Sequence, residues 1–251
     1  MDKKFKSMLK ANQITYKVLE HCKKVIMERE TITKEEVEIL AEFALTKHDV
    51  ESAFKGVGGF PNVMCVSVND EIIHGVPKQG QKIIKGDLVS LDFGVKINGY
   101  CADAAISFIN NTKINNPISK KRKLVRATKE ALEVSIKAIK TSFPNCKVSD
   151  ITRVIESYKK NYGIVIGFGG HGVGKELHDS GIFIPNIWSN IQVDKYLKIG
   201  DYFTIEPMLT LGSGKTVVDK DGFTIKTADG SLSAHFEYSI AIRPEGIIVL
   251  K

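Results

Sequence analysis

The stretch Gly86-Asp87-Leu88-Val89-Ser90-Leu91-Asp92 returns 114 residues later as Gly200-Asp201-Tyr202-Phe203-Thr204-Ile205-Glu206. In both copies a Gly-Asp turn opens an alternating strand, and a carboxylate sits on that strand six residues after the glycine. A charge drawn out of water in this way is tolerated only when it is paired or bound to a metal. A second acid follows each copy, Asp103 in the first half and Glu237 in the second, and the glycine-flanked His171 lies between the halves. Five ligands from two related halves predict a dinuclear metal site at a pseudo-symmetry axis.

Around the first copy the pattern is sharp enough to give a register. Val89, Leu91, Phe93 and Val95 are apolar, while Ser90, Asp92 and Gly94 share the other face of the strand. Asn98-Gly99 is a strong hairpin signal. With those two residues at the centre of the turn, facing positions sum to 197 and Asp103 lies opposite Gly94. Asp92 and Asp103 then point to one side as diagonal neighbours, roughly 7 to 8 Å apart at the backbone, with Gly94 leaving the space between them open. That gap suits side chains converging on ions about 3.5 to 4 Å apart. In the second half His235, Glu237 and Ser239 share one face. Any single acid here reads better as a solvated strand residue or a buried ion-pair partner, but the repeated pattern outweighs that reading for the set. Four converging carboxylates repel unless cations neutralise them, so metal binding and folding are expected to be coupled. One imidazole among carboxylates is a hard donor set, favouring Mn, Fe(II) or Co over a thiolate-type zinc site.

The rest of the chain predicts an α+β domain with a mainly antiparallel sheet. Helices are expected from about 4 to 29, after Thr33 with Glu36 closing a capping box, from about Ser119 to Ser142, and from a cap near Ser149 or Asp150 to Gly163. Strands are expected from about Val63 and again over Leu232 to Ile242. At 251 residues and 43% hydrophobic content the chain can bury one sizeable core, so residues 1–251 are read as a single catalytic domain. Cys22, Cys65, Cys101 and Cys146 form no C-x-x-C pair, which fits reduced thiols in the cytoplasm. No apolar run reads as a signal sequence or a membrane span. A net charge of +7, with basic residues densest at Lys120-Lys121-Arg122-Lys123, Arg126 and Lys129, admits a polyanionic partner, although such a run is more often a solvated helix face.

Gly169 to Lys175 matches G-x-x-x-x-G-K, but Glu176 stands where a phosphate-binding loop needs Ser or Thr, so no nucleotide is expected. The glycines on both sides are read instead as letting the backbone approach the metals while His171 ligates and His178 faces a substrate. His74, before Gly75-Val76-Pro77, reads on its own more readily as structural.

Taken together, Cys65-Val66-Ser67-Val68-Asn69, His74-Gly75-Val76-Pro77, Asp92 with Asp103, Gly170-His171-Gly172-Val173-Gly174 with His178, Thr204-Ile205-Glu206-Pro207-Met208, and Ser231-Leu232-Ser233-Ala234 leading to Glu237 resemble the type I methionine aminopeptidases. The resemblance runs from about residue 4 to 250. It implies the pita-bread fold, two pseudo-symmetric halves whose curved antiparallel sheet is covered by helices. It implies removal of the initiator methionine from nascent chains and peptides with a small second residue, by a hydroxide shared between two divalent ions (Co, Mn, Fe(II) or Zn). Carried over, Asp92 and Asp103 bind one metal, and Asp103, His171, Glu206 and Glu237 the other, with Asp103 and Glu237 bridging. Glu206 would move the proton, His178 and His74 would contact the substrate amide, and Phe60, Cys65 and Phe223 would line the methionine pocket, with Val57 and Leu177 at positions where relatives often carry aromatics. A monomer is expected, with ribosome association as a further expectation. The span between Glu206 and Glu237 leaves no room for the helical insert of type II enzymes. A non-catalytic binding module of the same fold is the rival reading, and loss of the ligands would mark it.

Overall fold

A computed structural model describes residues 2–110, 119–189 and 193–251. Helix α1 (Lys3–Glu28) buries Phe5, Met8, Ala11, Ile14, Val18, Cys22 and Ile26 along one stripe. Helix α2 (Lys34–His48) starts where the capping box predicts: Glu36 N–H donates to the Thr33 hydroxyl at 3.1 Å and Glu36 Oε2 accepts from Thr33 N–H at 2.7 Å. Helix α3 spans Lys120–Ser142 and α4 spans Val148–Ser157. The fourth helix departs from expectation at both ends. Asp150 is its third residue rather than its cap, reaching back to accept from Lys147 N–H at 2.9 Å, and the chain tightens into a 3₁₀ turn at Tyr158–Lys160 well before Gly163.

The site is carried by one eight-stranded sheet. Its strands are β1 (Met64–Val68), β2 (Leu88–Phe93), β3 (Ala104–Ile109), β4 (Gly169–Gly172), β5 (Asp179–Pro185), β6 (Tyr202–Ile205), β7 (Glu237–Arg243) and β8 (Gly246–Val249). The order is β5-β4-β6-β7-β3-β2-β1, with β8 also paired to β7, and every pairing is antiparallel. Val89, Leu91 and Phe93 from the first half and Phe203, Ile205 and Ile240 from the second share one core with Leu124, Leu132, Ile151 and Ile155 of α3 and α4. All six residues of β2 are buried, so the polar face of the alternation, Ser90 and Asp92, sits under cover rather than in water.

The hairpin register is the expected one, since pairs from Leu88–Ile109 through Phe93–Ala104 to Ile97–Tyr100 all sum to 197. The strand nevertheless breaks at Gly94. A Cβ there would meet the Ala102 carbonyl oxygen and the Phe54 ring edge at 2.8 Å, so the glycine admits a close crossing of backbone rather than leaving an open gap between the acids. The Leu232 to Ile242 alternation breaks as well, at Phe236. Ser233–His235 pairs with Met208–Thr210 in a separate three-stranded sheet, and β7 begins at Glu237.

Candidate metal centre

The inner strands of the two halves are equivalent by their register. Facing residues on β2 and β3 sum to 197, and those on β6 and β7 to 443, a sum that the Met208–His235 pair in the neighbouring sheet preserves. Asp92 faces Ala105, and the same ladder extended by one residue sets Glu206 opposite Glu237. The residue equivalent to Asp103 is therefore His235, and the equivalent of Glu237 is Ala105. The sequence reading, which matched Asp103 with Glu237, is two residues out. The halves meet at β3 and β7 through only two backbone pairs, Glu237–Ala105 and Tyr238–Ala104. Beyond each end a serine hydroxyl replaces the ladder. Ser107 Oγ donates to His235 O at 2.7 Å and accepts from His235 N–H at 2.9 Å, while Ser239 Oγ donates to Asp103 O at 2.8 Å and accepts from its N–H at 3.4 Å.

A cavity of about 670 Å³ opens over this seam, and all ten residues singled out from the sequence line it: Phe60, Cys65, His74, Asp92, Asp103, His171, His178, Glu206, Phe223 and Glu237. Val57 and Leu177 line it too. Asp92, Asp103, Glu206 and Glu237 are all buried. Among the described residues no lysine or arginine pairs with any of them, and the ion-pairing neighbours of Asp103 and Glu206 are His171 and His235. Asp92 Oδ1, Asp103 Oδ1 and Glu237 Oε1 have no hydrogen-bond partner. Burial first, and then the charges of Asp103 and Glu206, hold the Asp92 and Glu237 carboxyls well above the usual carboxylate range.

His171 sits at a bulge where β4 changes register against β5. Gly170 and Gly172 flank it because a Cβ at either would collide with the carbonyl oxygen of Thr204 or Asp179. The glycines thus serve close strand packing, and the metals need not be what the backbone approaches. Nδ1 of His171 lies 3.0 Å from the Gly172 carbonyl, which can only accept, so in the neutral ring Nδ1 carries the proton and the Nε2 lone pair faces the acids. Burial opposes charge on this imidazole, but Asp103 and Glu206 outweigh it and bring its pKa up to about 9.

The spacing fits a cation better than hydrogen bonds. Nε2 of His171 is 3.5 Å from Asp103 Oδ2 and 3.6 Å from Glu206 Oε1, and Nε2 of His235 is 3.6 Å from Glu206 Oε2. These gaps exceed an N–H···O bond and match donors sharing one ion, which at about 2.1 Å from it lie roughly 3 to 3.5 Å apart. Two triads have their ligand atoms within 4.8 Å of one another, Asp103-His171-Glu237 and Glu206-His235-Glu237, with Glu237 common to both. The orphaned oxygens, the lack of a lysine or arginine partner among the described residues and the donor spacing together fit a pair of divalent ions.

The organic half of the cavity is apolar. Phe60 and Phe223 meet edge to face at 5.6 Å, and Cys65, opposite Asp92 in the ladder, is buried with its thiol pushed far up by burial. His74 adopts a left-handed backbone (φ 55°) and packs against Phe168, its pKa lowered to about 4 by burial. His178 meets His171 edge to face at 4.4 Å and is exposed; partial burial of its ring and that neighbour lower its pKa. Sequence reasoning missed Phe54, Phe168 and above all His235, whose signal was its place on the Glu237 face. The G-x-x-x-x-G-K segment starts as strand β4 and passes through bends into β5, so it lacks the helix N-terminus on which a phosphate loop depends.

The sequence matches Metallopeptidase family M24 over residues 6–244. It is 38% identical to a methionine aminopeptidase of Aquifex aeolicus over 250 residues, covering 96% of this chain and 93% of the relative. It is 36% identical to one of Clostridium perfringens, covering 97% and 94%. The crystal structure of methionine aminopeptidase from Thermotoga maritima superposes with a TM-score of 0.89 at 35% identity, covering 100% of this chain and 97% of that one. An Xaa-Pro dipeptidase from Bacillus anthracis, 22% identical with a TM-score of 0.73, shares the fold, and the match covers 61% of its length. The pita-bread architecture expected from the sequence is the one observed.

Proposed function

The chain belongs to metallopeptidase family M24 and within it to the methionine aminopeptidases, and on that premise we propose how its own residues divide the work of removing an N-terminal methionine. The observation that carries the reading is the meeting, in one cavity, of four buried acids with no lysine or arginine partner among the described residues and an apolar wall. Asp92, Asp103, His171, Glu206 and Glu237 would hold two divalent ions. When bound, those ions supply a nucleophile at neutral pH by lowering the pKa of water to about 7, and polarise the scissile carbonyl.

Phe60, Cys65 and Phe223 receive the methionine side chain, and Leu177 closes the same wall. Cys65 remains a neutral thiol there, an apolar surface rather than a second nucleophile. Glu206 takes the proton released by the attacking water and returns it to the leaving amine, as its place beside both imidazoles supports. His178 donates a hydrogen bond to the oxygen that gains charge, and His74 holds the scissile amide. Both imidazoles titrate below their ordinary value, so at neutral pH each is an uncharged donor that does not repel the cations. Val57, 39% exposed at the rim, bears on the second substrate residue, for which we propose a small side chain.

We place the activity in the cytoplasm, on peptides and nascent chains, with the protein acting as a monomer. No helix among the described residues is long and apolar enough to cross a membrane. Exposed Lys120, Lys123 and Arg126 at the start of α3 support an approach to ribosomal RNA. The deciding experiment measures methionine release from Met-Ala and Met-Lys peptides with Co, Mn, Fe(II) and Zn in turn. Release from Met-Ala with at least one metal, and none from Asp103→Asn, is expected. A variant that keeps activity and two tightly bound ions would remove Asp103 from its bridging role.

A further inference from the structure

His235 has no part in the ligand set that the resemblance carries over, yet it is the most confined histidine of the site. Its side chain is 2% exposed, and neither ring nitrogen has a hydrogen-bond partner. A buried polar ring without partners is costly unless something else satisfies it. Three further observations say what that is. Nε2 lies 3.6 Å from Glu206 Oε2, beyond a hydrogen bond and within the spacing of co-ligands. Glu206, His235 and Glu237 present their donor atoms within 4.8 Å of one another. The pseudo-two-fold register makes His235 the counterpart of Asp103, so the second half offers a donor where the first half does. Its root is fixed as a ligand's should be, with Ser107 holding both its N–H and its carbonyl.

We propose that His235 is a sixth metal ligand, joining Asp92, Asp103, His171, Glu206 and Glu237 and meeting a cation together with Glu206 and Glu237. The site then offers two imidazole nitrogens. That donor set is softer than an all-oxygen one and selects borderline first-row divalent ions, Co, Fe(II) or Zn, over magnesium. The inference rests on the dinuclear reading above, and its test separates the two.

The metal-free full chain is titrated with Co(II). Calorimetry gives the number of ions and their affinities, and proton NMR of the loaded protein counts ring N–H signals shifted by coordination to the paramagnetic ion. Two ions and two shifted imidazole signals are expected in the wild type. In His235→Gln one signal is lost and one ion binds at least about tenfold more weakly, while the other holds its affinity. Two ions with a single imidazole signal, or a folded His235→Gln that binds both ions as the wild type does, would overturn the sixth ligand and leave the dinuclear reading standing. A wild type that binds fewer than two ions would overturn both. The wild-type signal count decides the matter even if the variant does not fold.

Discussion

Removal of the Ser107 hydroxyl probes how the two halves are held at the metal site. The β3–β7 seam has two backbone pairs, and Ser107 and Ser239 replace the ladder beyond its ends. Ser107 makes three short contacts, at 2.7 Å to His235 O, 2.9 Å from His235 N–H and 2.6 Å to Ser90 Oγ. Ser239 makes one short contact, at 2.8 Å to Asp103 O, and one long one, at 3.4 Å from Asp103 N–H. All of these residues are buried. A buried group left unsatisfied costs about 1 to 3 kcal/mol. Ser107→Ala strands the N–H and carbonyl of His235 and the Ser90 hydroxyl, and is expected to cost about 3 to 5 kcal/mol. Ser239→Ala strands one well-bonded carbonyl and should cost about 1 to 3 kcal/mol. Against a total stability of about 5 to 15 kcal/mol the first loss is large. A water entering the space left by the oxygen would bring both figures to their lower ends without reversing their order. Urea unfolding of metal-free protein measures the two costs directly. A Ser107→Ala protein within about 0.5 kcal/mol of wild type, or one more stable than Ser239→Ala, would refute the account of hydroxyls as substitutes for the ladder.

Two further outcomes are expected. His178→Ala should lower kcat by about 10²- to 10³-fold with ion content unchanged in calorimetry, and loss of an ion would move His178 into the ligand set. The metal-free protein should also lose stability as pH rises from about 6.5 to 8. Asp92, Glu237 and His171 all titrate above their unfolded values, so in this window the folded state binds more protons than the unfolded one and unfolding becomes easier. His74 and His178, which titrate below their ordinary value, act in the opposite sense, but mainly below about pH 6.5. A melting temperature in chelator that stays flat or rises from pH 6.5 to 8 contradicts the acid cluster, whereas saturating divalent ions should abolish the fall.

What could be read from the sequence is what a local rule determines. Asn98-Gly99 fixes the turn, and the turn fixes every pair back to Leu88–Ile109. Thr33 and Glu36 fix the start of α2. The period of two says which residues share a face, and so gathered the acids correctly. It does not say where a strand leaves one sheet for another, which is why the breaks at Gly94 and Phe236 went unseen: each depends on a backbone crossing from elsewhere in the chain.

His235 escaped for the same reason. Asp103 follows Asp92 by 11 positions and His235 follows Glu206 by 29, so the repeat that is 114 residues apart on the inner strands is 132 apart on the outer ones. The excess of 18 residues hides the equivalence and also explains what the second half adds. It carries the Thr216–Val218 and Ile225–Thr227 hairpin, which pairs with Glu71–Ile73 just before His74 and presents Phe223 to the cavity. Thr224 of the same connection accepts from Val76 N–H at 3.2 Å and is itself held by Asp221 at 2.6 Å, tying the aromatic wall to the His74 turn. The symmetric part of the chain therefore builds the cage of donors. The insertion that breaks the symmetry adds Phe223 to a pocket whose other walls, Phe60 and Cys65, come from the first half, so that one wall can be altered without touching a donor.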